Sequence, residues 1–229
     1  MPSEFEQQTW VVVPALNERE VIGPCVAELR AVFPNVVVVD DGSRDATGDE
    51  ALASGAVVVR HPLNLGQGAA IQTGIQFALS RAAGYVATFD ADGQHRVEPL
   101  KRMLDILVRE QLDIVLGSRF LGHAEGMTLG RSTLLRAGVQ FTNLTTGVKL
   151  TDAHNGLRIM TASAAGRIRI VQDGMAHASE FIAEIGRLGL SVREAPVTIR
   201  YSAYSLAKGQ KMSNSFRILA DLFVGWLLR

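Results

Sequence analysis

The sequence predicts an α/β protein: a mostly parallel sheet with helices on both faces, followed by a smaller portion with a different rhythm. Three observations lead there. Short β-branched runs alternate with helical stretches through the first half of the 229 residues, the pattern of βαβ units. Two of those runs end in acids, one in Asp40-Asp41-Gly42-Ser43 and the other in Asp90-Ala91-Asp92-Gly93-Gln94. Beyond Gly117 the alternation stops, and Gly122, Gly126 and Gly130 mark a loop instead.

Taken in order, strands are expected at 10–14, 36–40, 56–60, 85–89 and 113–116, each a short apolar run with β-branched residues. Helices are expected between them at 18–32, 45–54, 68–82 and 97–110. Crossovers between parallel strands are right-handed, so the strand ends and their loops collect on one edge. That edge gathers Asn17, Glu18, Asp40, Asp41, Asn64, Asp90 and Asp92. After the glycine loop, a helix is expected at 132–146, a turn at 151–156, a helix at 179–188 and a strand at 191–201, where Pro196 points to a sheet edge. One catalytic domain is expected over 1–229, divided into 1–117, 118–212 and a C-terminal amphipathic helix at 213–229.

Composition narrows the field. With 47% hydrophobic and 20% charged residues, the chain has material for one sizeable core. Lysine plus arginine equals aspartate plus glutamate at 23 each, so no global field draws it to nucleic acid. The single Cys25 forms no internal disulfide, and the polar start lacks a secretory signal, which predicts a cytoplasmic setting. No segment reaches the roughly 18 to 20 apolar residues needed to span a bilayer. The stretch 218–228 is apolar at helical spacing, broken by Asp221 and preceded by Lys208, Lys211 and Arg217. It suits packing on the core, on a second copy of the chain or a membrane-protein partner, or peripheral contact with the cytoplasmic face of a membrane.

The chemistry concentrates in the acidic strand ends. Side chains alternate along an extended segment, so Asp90 and Asp92 face one way and Ala91 the other. Two hard oxygen donors with the Gln94 amide behind them suit a divalent cation that keeps positions open for phosphate oxygens. Ligands of open α/β sheets sit beyond the carboxyl ends of the strands, and the second acidic end at Asp40-Asp41 therefore favours one shared site. The stretch Asn64-Leu65-Gly66-Gln67-Gly68 before a helix offers backbone amides, Gly68 among them, to a phosphate. It is also read as a tight strand-to-helix turn, since Ile71 stands where a dinucleotide fingerprint has its third glycine.

The ordered set Val13-Pro14-Ala15-Leu16-Asn17-Glu18, Val39-Asp40-Asp41-Gly42-Ser43, Asn64-Leu65-Gly66, Asp90-Ala91-Asp92-Gly93-Gln94 and Gly117-Ser118-Arg119 resembles the inverting family 2 glycosyltransferases. The nearest branch is the dolichol-phosphate (polyprenyl-phosphate) mannosyltransferase-like group. The resemblance implies a GT-A fold, a Rossmann-like nucleotide-binding sheet joined to an acceptor-binding portion, with Mg²⁺ or Mn²⁺ as cofactor. It places Pro14, Ala15, Glu18, Asp40 and Asp41 around the nucleoside. Asp90, Ala91, Asp92 and Gln94 fall at the donor diphosphate and metal. Arg119, Arg131, Ser132, Asp152, Arg158, Ser205 and Lys208 fall near the acceptor and donor phosphates, with Asp92, Arg119, Asp152 and Arg158 as catalytic candidates. The chain departs from the group at Gln67, where many relatives carry a basic residue, and at Leu157, where Phe is commoner.

The implied reaction moves a hexose from GDP-mannose or a UDP-sugar to polyprenyl phosphate by one displacement with inversion. A lipid phosphate is already ionised at neutral pH and needs no base. A saccharide hydroxyl, the alternative acceptor, does, and the candidates are Glu180, Asp152 and His177. A catalytically silent nucleotide-binding subunit stays open as a different class. A phospho-receiver module does not fit, because its acidic pair follows the first strand and its length is about half of this chain.

Overall fold

The computed structural model describes residues 2–127, 129–153, 155–173 and 176–200, without the side chains at 125, 129, 131 and 134. Among the described residues the chain runs α1 (Glu4–Gln8), β1 (Thr9–Ala15), α2 (Arg19–Arg30), β2 (Asn35–Asp40), α3 (Thr47–Ala53), β3 (Val57–Arg60), α4 (Gln67–Ser80), β4 (Tyr85–Thr88) and α5 (Val97–Arg109). It continues through β5 (Ile114–Glu125), α6 (Leu129–Thr146), β6 (Arg158–Thr161), α7 (Ala162–Arg167), α8 (His177–Leu188) and β7 (Val192–Arg200).

The strands form one sheet in the order β3-β2-β1-β4-β6-β5-β7. The β1–β2, β1–β4, β2–β3 and β5–β7 pairs are parallel, and β6 is antiparallel to both of its neighbours. The reversal has a consequence for the site. Because β6 runs the other way, its first residue rather than its last lies at the carboxyl edge, and Arg158 registers with Thr88 of β4 and Leu116 of β5.

Side-chain alternation sorts the strand residues between two cores. Val11, Val13, Val36 and Val38 pack with Ile22, Leu29, Leu100 and Leu104 from α2 and α5. Val12, Val37 and Val86 pack on the other face with Ile71, Ile75, Phe181 and Ile185 from α4 and α8. The strands are apolar on both faces because both faces are covered by helices. Cys25 belongs to the first core, where burial pushes its thiol up to about 12 and makes it a packing residue.

The structure departs from these expectations at three points. The polar start forms α1, held by a capping box in which Glu6 N–H donates to Ser3 Oγ at 3.3 Å and Ser3 N–H to Glu6 Oε2 at 2.6 Å. The glycines taken for a loop divide instead: Gly122 lies in β5, which pairs with β7 as far as Glu125 across a register shift, and Gly130 lies in α6. The short β6 and α7 were not anticipated. Pro196 does sit on an edge strand, since β7 ends the sheet among the described residues.

Candidate active site

The β1–α2, β2–α3 and β3–α4 loops are stitched together by side chains that accept from or donate to backbone. Asn17, at a positive φ of 54°, receives Arg44 N–H on Oδ1 at 2.8 Å and donates its own N–H to Ser43 Oγ at 2.9 Å. Glu18 N–H donates to Thr47 Oγ1 at 2.8 Å. Pro14 and Ala15 close the buried end of β1 beside them. Asp40 and Asp41, adjacent in sequence, then part company. Asp40 accepts Ser43 N–H at 3.0 Å and faces a cavity of about 180 Å³ with Ser43, Asp45, Arg60 and His61. Asp41 turns the other way and takes Leu65 N–H at 2.9 Å, Gly66 N–H at 2.8 Å and His61 Nδ1 at 2.7 Å.

The expected phosphate cradle is altered at one point. Gly68 N–H donates to Asp173 O at 2.9 Å, so this amide is already engaged by the segment before α8. Gly66 adopts φ 103°, and a Cβ there would collide with the Asp173 carbonyl, which is why glycine occupies it.

At the end of β4 the acids come together. Gln67 Nε2 donates to Asp90 Oδ1 at 3.3 Å, and His95 Nε2 lies 3.6 Å from Asp90 Oδ2. Gly156 lies so close that a Cβ would overlap the Asp90 carboxylate. Burial opposes ionisation of Asp90, yet the nearby His95, with Arg158 and His177, holds it below the usual carboxylate range. Asp92 behaves oppositely: burial first, then the charge of Asp90, push it up to about 6. Gln94 steadies Asp92 through its backbone N–H at 3.0 Å and Nε2 at 2.6 Å.

Across β6 the arginines are buried. Arg119 donates its N–H at 3.0 Å and Nε at 2.6 Å to Asp152 Oδ2. Glu194 of β7 holds that turn from behind, accepting Thr151 N–H at 2.8 Å and Asp152 N–H at 2.9 Å. Arg158, 2% exposed, stacks over the Phe181 ring at 4.4 Å and donates Nε to Asn155 O at 3.1 Å. Its Nη1 and the nearby Asn155 Nδ2 have no hydrogen-bond partner among the described residues. Burial lowers Arg158 to about 10, with Asp90 and Asp152 resisting the shift.

The structure thus brings Asp90, Asp92, Gln94 and Arg158 to one place, with Arg119 and Asp152 paired beside them. Ser132 lies half-buried in the first turn of α6, next to Arg131, and Ser205, Lys208 and the 213–229 helix lie outside the described residues. Sequence reasoning passed over His61, His95 and Asn155. His95 directly follows the acidic motif, so its position was the available signal; nothing in the sequence marked Asn155. Among the described residues no group of three or more His, Cys, Asp or Glu side chains is arranged to hold a metal ion. The pair Asp90 and Asp92 still fits Mg²⁺ or Mn²⁺: both are hard oxygen donors, and the mutual repulsion that raises Asp92 is what a divalent cation relieves.

A mostly parallel sheet with acids at its carboxyl edge, completed by an antiparallel strand that delivers an arginine, is the architecture of the GT-A-type glycosyltransferases, and the family profile and fold match place the chain among them. The chain belongs to glycosyl transferase family 2, whose profile matches residues 10–169. It is 36% identical to the uncharacterized protein MJ1222 of Methanocaldococcus jannaschii, over 96% of this chain and 92% of that one. It is 26% identical to the UDP-N-acetylglucosamine–dolichyl-phosphate N-acetylglucosaminyltransferase of Methanococcus voltae, over 94% of each chain. With the polyprenol monophosphomannose synthase of Mycolicibacterium smegmatis it shares 31% identity, over 88% and 81% of the two chains. The fold matches glucosyl-3-phosphoglycerate synthase of Mycobacterium tuberculosis with a TM-score of 0.73 at 21% identity, over 95% and 79% of the chains.

Proposed function

We propose that the chain transfers a hexosyl group, with inversion, from GDP-mannose or a UDP-sugar to a polyprenyl or dolichyl phosphate at the cytoplasmic face of a membrane. Asp90 and Asp92, with Gln94 behind them, would hold Mg²⁺ or Mn²⁺ and the donor diphosphate. When bound, the ion supplies positive charge against the diphosphate that leaves. Pro14, Ala15, Glu18 and Asp40 bind the nucleoside, with Asp41 holding the loop beside it; Arg119, Arg131, Ser132, Ser205 and Lys208 bind the acceptor phosphate.

One observation carries the choice of a phosphate over a hydroxyl acceptor: two of the three candidate bases are committed elsewhere. Glu180 accepts Val171 N–H at 3.0 Å and Gln172 N–H at 2.8 Å, and Asp152 is bound to Arg119. His177 is buried next to Asp90 and serves its charge balance. A phosphate that attacks as an anion needs none of them. Arg158, with an unspent donor beside Asp90, supplies preorganised positive charge for the phosphates. Names among the relatives agree, since the one from Methanococcus voltae is a dolichyl-phosphate N-acetylglucosaminyltransferase and the one from Mycolicibacterium smegmatis a synthase of polyprenol monophosphomannose.

Two measurements test the proposal. A thermal-shift panel of GDP, UDP, dTDP and CDP should show one nucleotide raising Tm, and more strongly with Mn²⁺. Donor turnover should then rise on adding polyprenyl phosphate and not on adding sugars. Stimulation by a saccharide alone would replace the acceptor; turnover absent with a bound nucleotide would favour a silent subunit.

A further inference from the structure

We propose that His61 and Asp41 are positioning residues for the nucleotide donor, holding the Asn64-Leu65-Gly66 loop so that Gln67 stays on Asp90. The proposal rests on the donor-binding reading above. His61 joins three elements: its Nδ1 meets Asp41 Oδ1 at 2.7 Å and its Nε2 meets Thr73 Oγ1 at 3.0 Å. A carboxylate only accepts, so Nδ1 carries the hydrogen. Both side chains are buried, 8% exposed for His61 and 5% for Asp41, and a charged acceptor in that setting makes strong hydrogen bonds. The same carboxylate takes the N–H groups of Leu65 and Gly66, the two residues before Gln67. Gln67 then opens α4 and donates to Asp90 Oδ1 at 3.3 Å.

The network could merely tie β3 to α4. Its placement argues for more. His61 lines the cavity that Asp40 faces, and the loop it fixes ends at the acid of the diphosphate site, so one network spans both ends of a nucleotide. Gln67 offers Asp90 a neutral amide, whose weaker attraction depends more on being held in place.

The test measures nucleotide affinity by calorimetry with Mn²⁺, using the nucleotide selected by the panel, on the wild type, His61→Phe, His61→Asn, Gln67→Ala and the His61→Phe/Gln67→Ala double variant. Phe keeps the ring and removes both contacts; Asn keeps a donor where Nδ1 stands. His61→Phe should bind about tenfold more weakly, and His61→Asn within about threefold of wild type. In the Gln67→Ala background His61→Phe should add less than about twofold, because both changes act through one loop. Wild-type affinity in folded His61→Phe, failure of Asn to restore binding, or multiplying effects in the double variant would each overturn the proposal. Should His61→Phe not fold, Thr73→Val decides: binding about threefold weaker, with faster hydrogen exchange at the Leu65 and Gly66 amides, upholds it, and no change in either overturns it. A wild type that binds no nucleotide overturns the donor reading itself, whereas a wild type that binds and a His61→Phe variant that binds equally well overturn the positioning role alone.

Discussion

The two flanks of the sheet use their acids differently. On the β1–β4 flank the carboxylates accept backbone N–H groups of their own or neighbouring loops: Asp40 from Ser43, Asp41 from Leu65 and Gly66, Asp92 from Gln94. On the β5–β7 flank they meet a buried arginine or pin a distant turn, as Asp152 does with Arg119 and Glu194 with Thr151. The first arrangement fixes loops and leaves charge facing the site; the second neutralises charge within the fold. Substitutions on the first flank should therefore strike function with the fold intact, and those on the second should cost stability as well.

The largest effect is expected on the second flank. Arg119→Met leaves the Asp152 carboxylate buried without its cation, which costs about 3–5 kcal/mol. Chemical denaturation should show that loss, and Arg119→Met/Asp152→Leu should recover part of it, because an apolar pair removes the stranded charge. Equal stability of single and double variants would break the comparison. Next comes Asp92→Ala, expected to lower the transfer rate by about 10³-fold, the scale of losing one preorganised charge contact. Its melting temperature should not fall, and a marked drop would move Asp92 to the structural side.

The pH dependence of that acid sharpens the point. In the metal-free protein Asp92 sits at about 6, above its unfolded value near 3.8, so the folded state favours its protonated form. The stabilising contribution is complete below the unfolded value and disappears as pH rises through about 6. Asp92→Asn should therefore raise Tm at pH 7.5 under chelation, with the advantage gone by pH 4, while transfer is lost. A functional acid whose removal stabilises the fold is what strain held for a ligand looks like.

This contrast also explains what could be read beforehand. The β1–β4 flank was legible because each acidic motif is contiguous and ends a parallel strand, so topology alone gathers Asp40, Asp41 and Asp90 on one edge. Even there the division of labour between Asp40 and Asp41 was hidden, since it depends on His61 and the Leu65 amide, 20 and 24 residues away. On the other flank, Arg158 comes near enough to Asp90 to act on its charge only because β6 inserts antiparallel between β4 and β5, and four residues, Arg-Ile-Met-Thr, give no alternation to reveal a strand. The Asp152 pairing joins residues 33 apart through a turn that no local pattern specifies. The capping box of α1 is written in Ser3 and Glu6, but five residues rarely make an independent helix, so the motif alone does not announce one.

The smallest effect concerns Glu194. It accepts Thr151 N–H on Oε2 at 2.8 Å, and both Thr151 Oγ1 and Asp152 N–H on Oε1 at 2.9 Å. Glu194→Gln keeps one acceptor oxygen and turns an NH₂ group toward whichever N–H loses its partner. The turn is partly open to solvent, so water takes up much of the loss, and the expected cost is about 1 kcal/mol, or roughly 2–4 °C in Tm. The value lies in its coupling to Asp152. If Glu194 holds the turn that presents Asp152 to Arg119, then Glu194→Gln should cost less in an Asp152→Asn background, where there is no ionised carboxylate left to present. Additive losses would mean that Glu194 and the buried ion pair stabilise the fold independently, and the β5–β7 flank would then be two separate supports rather than one network.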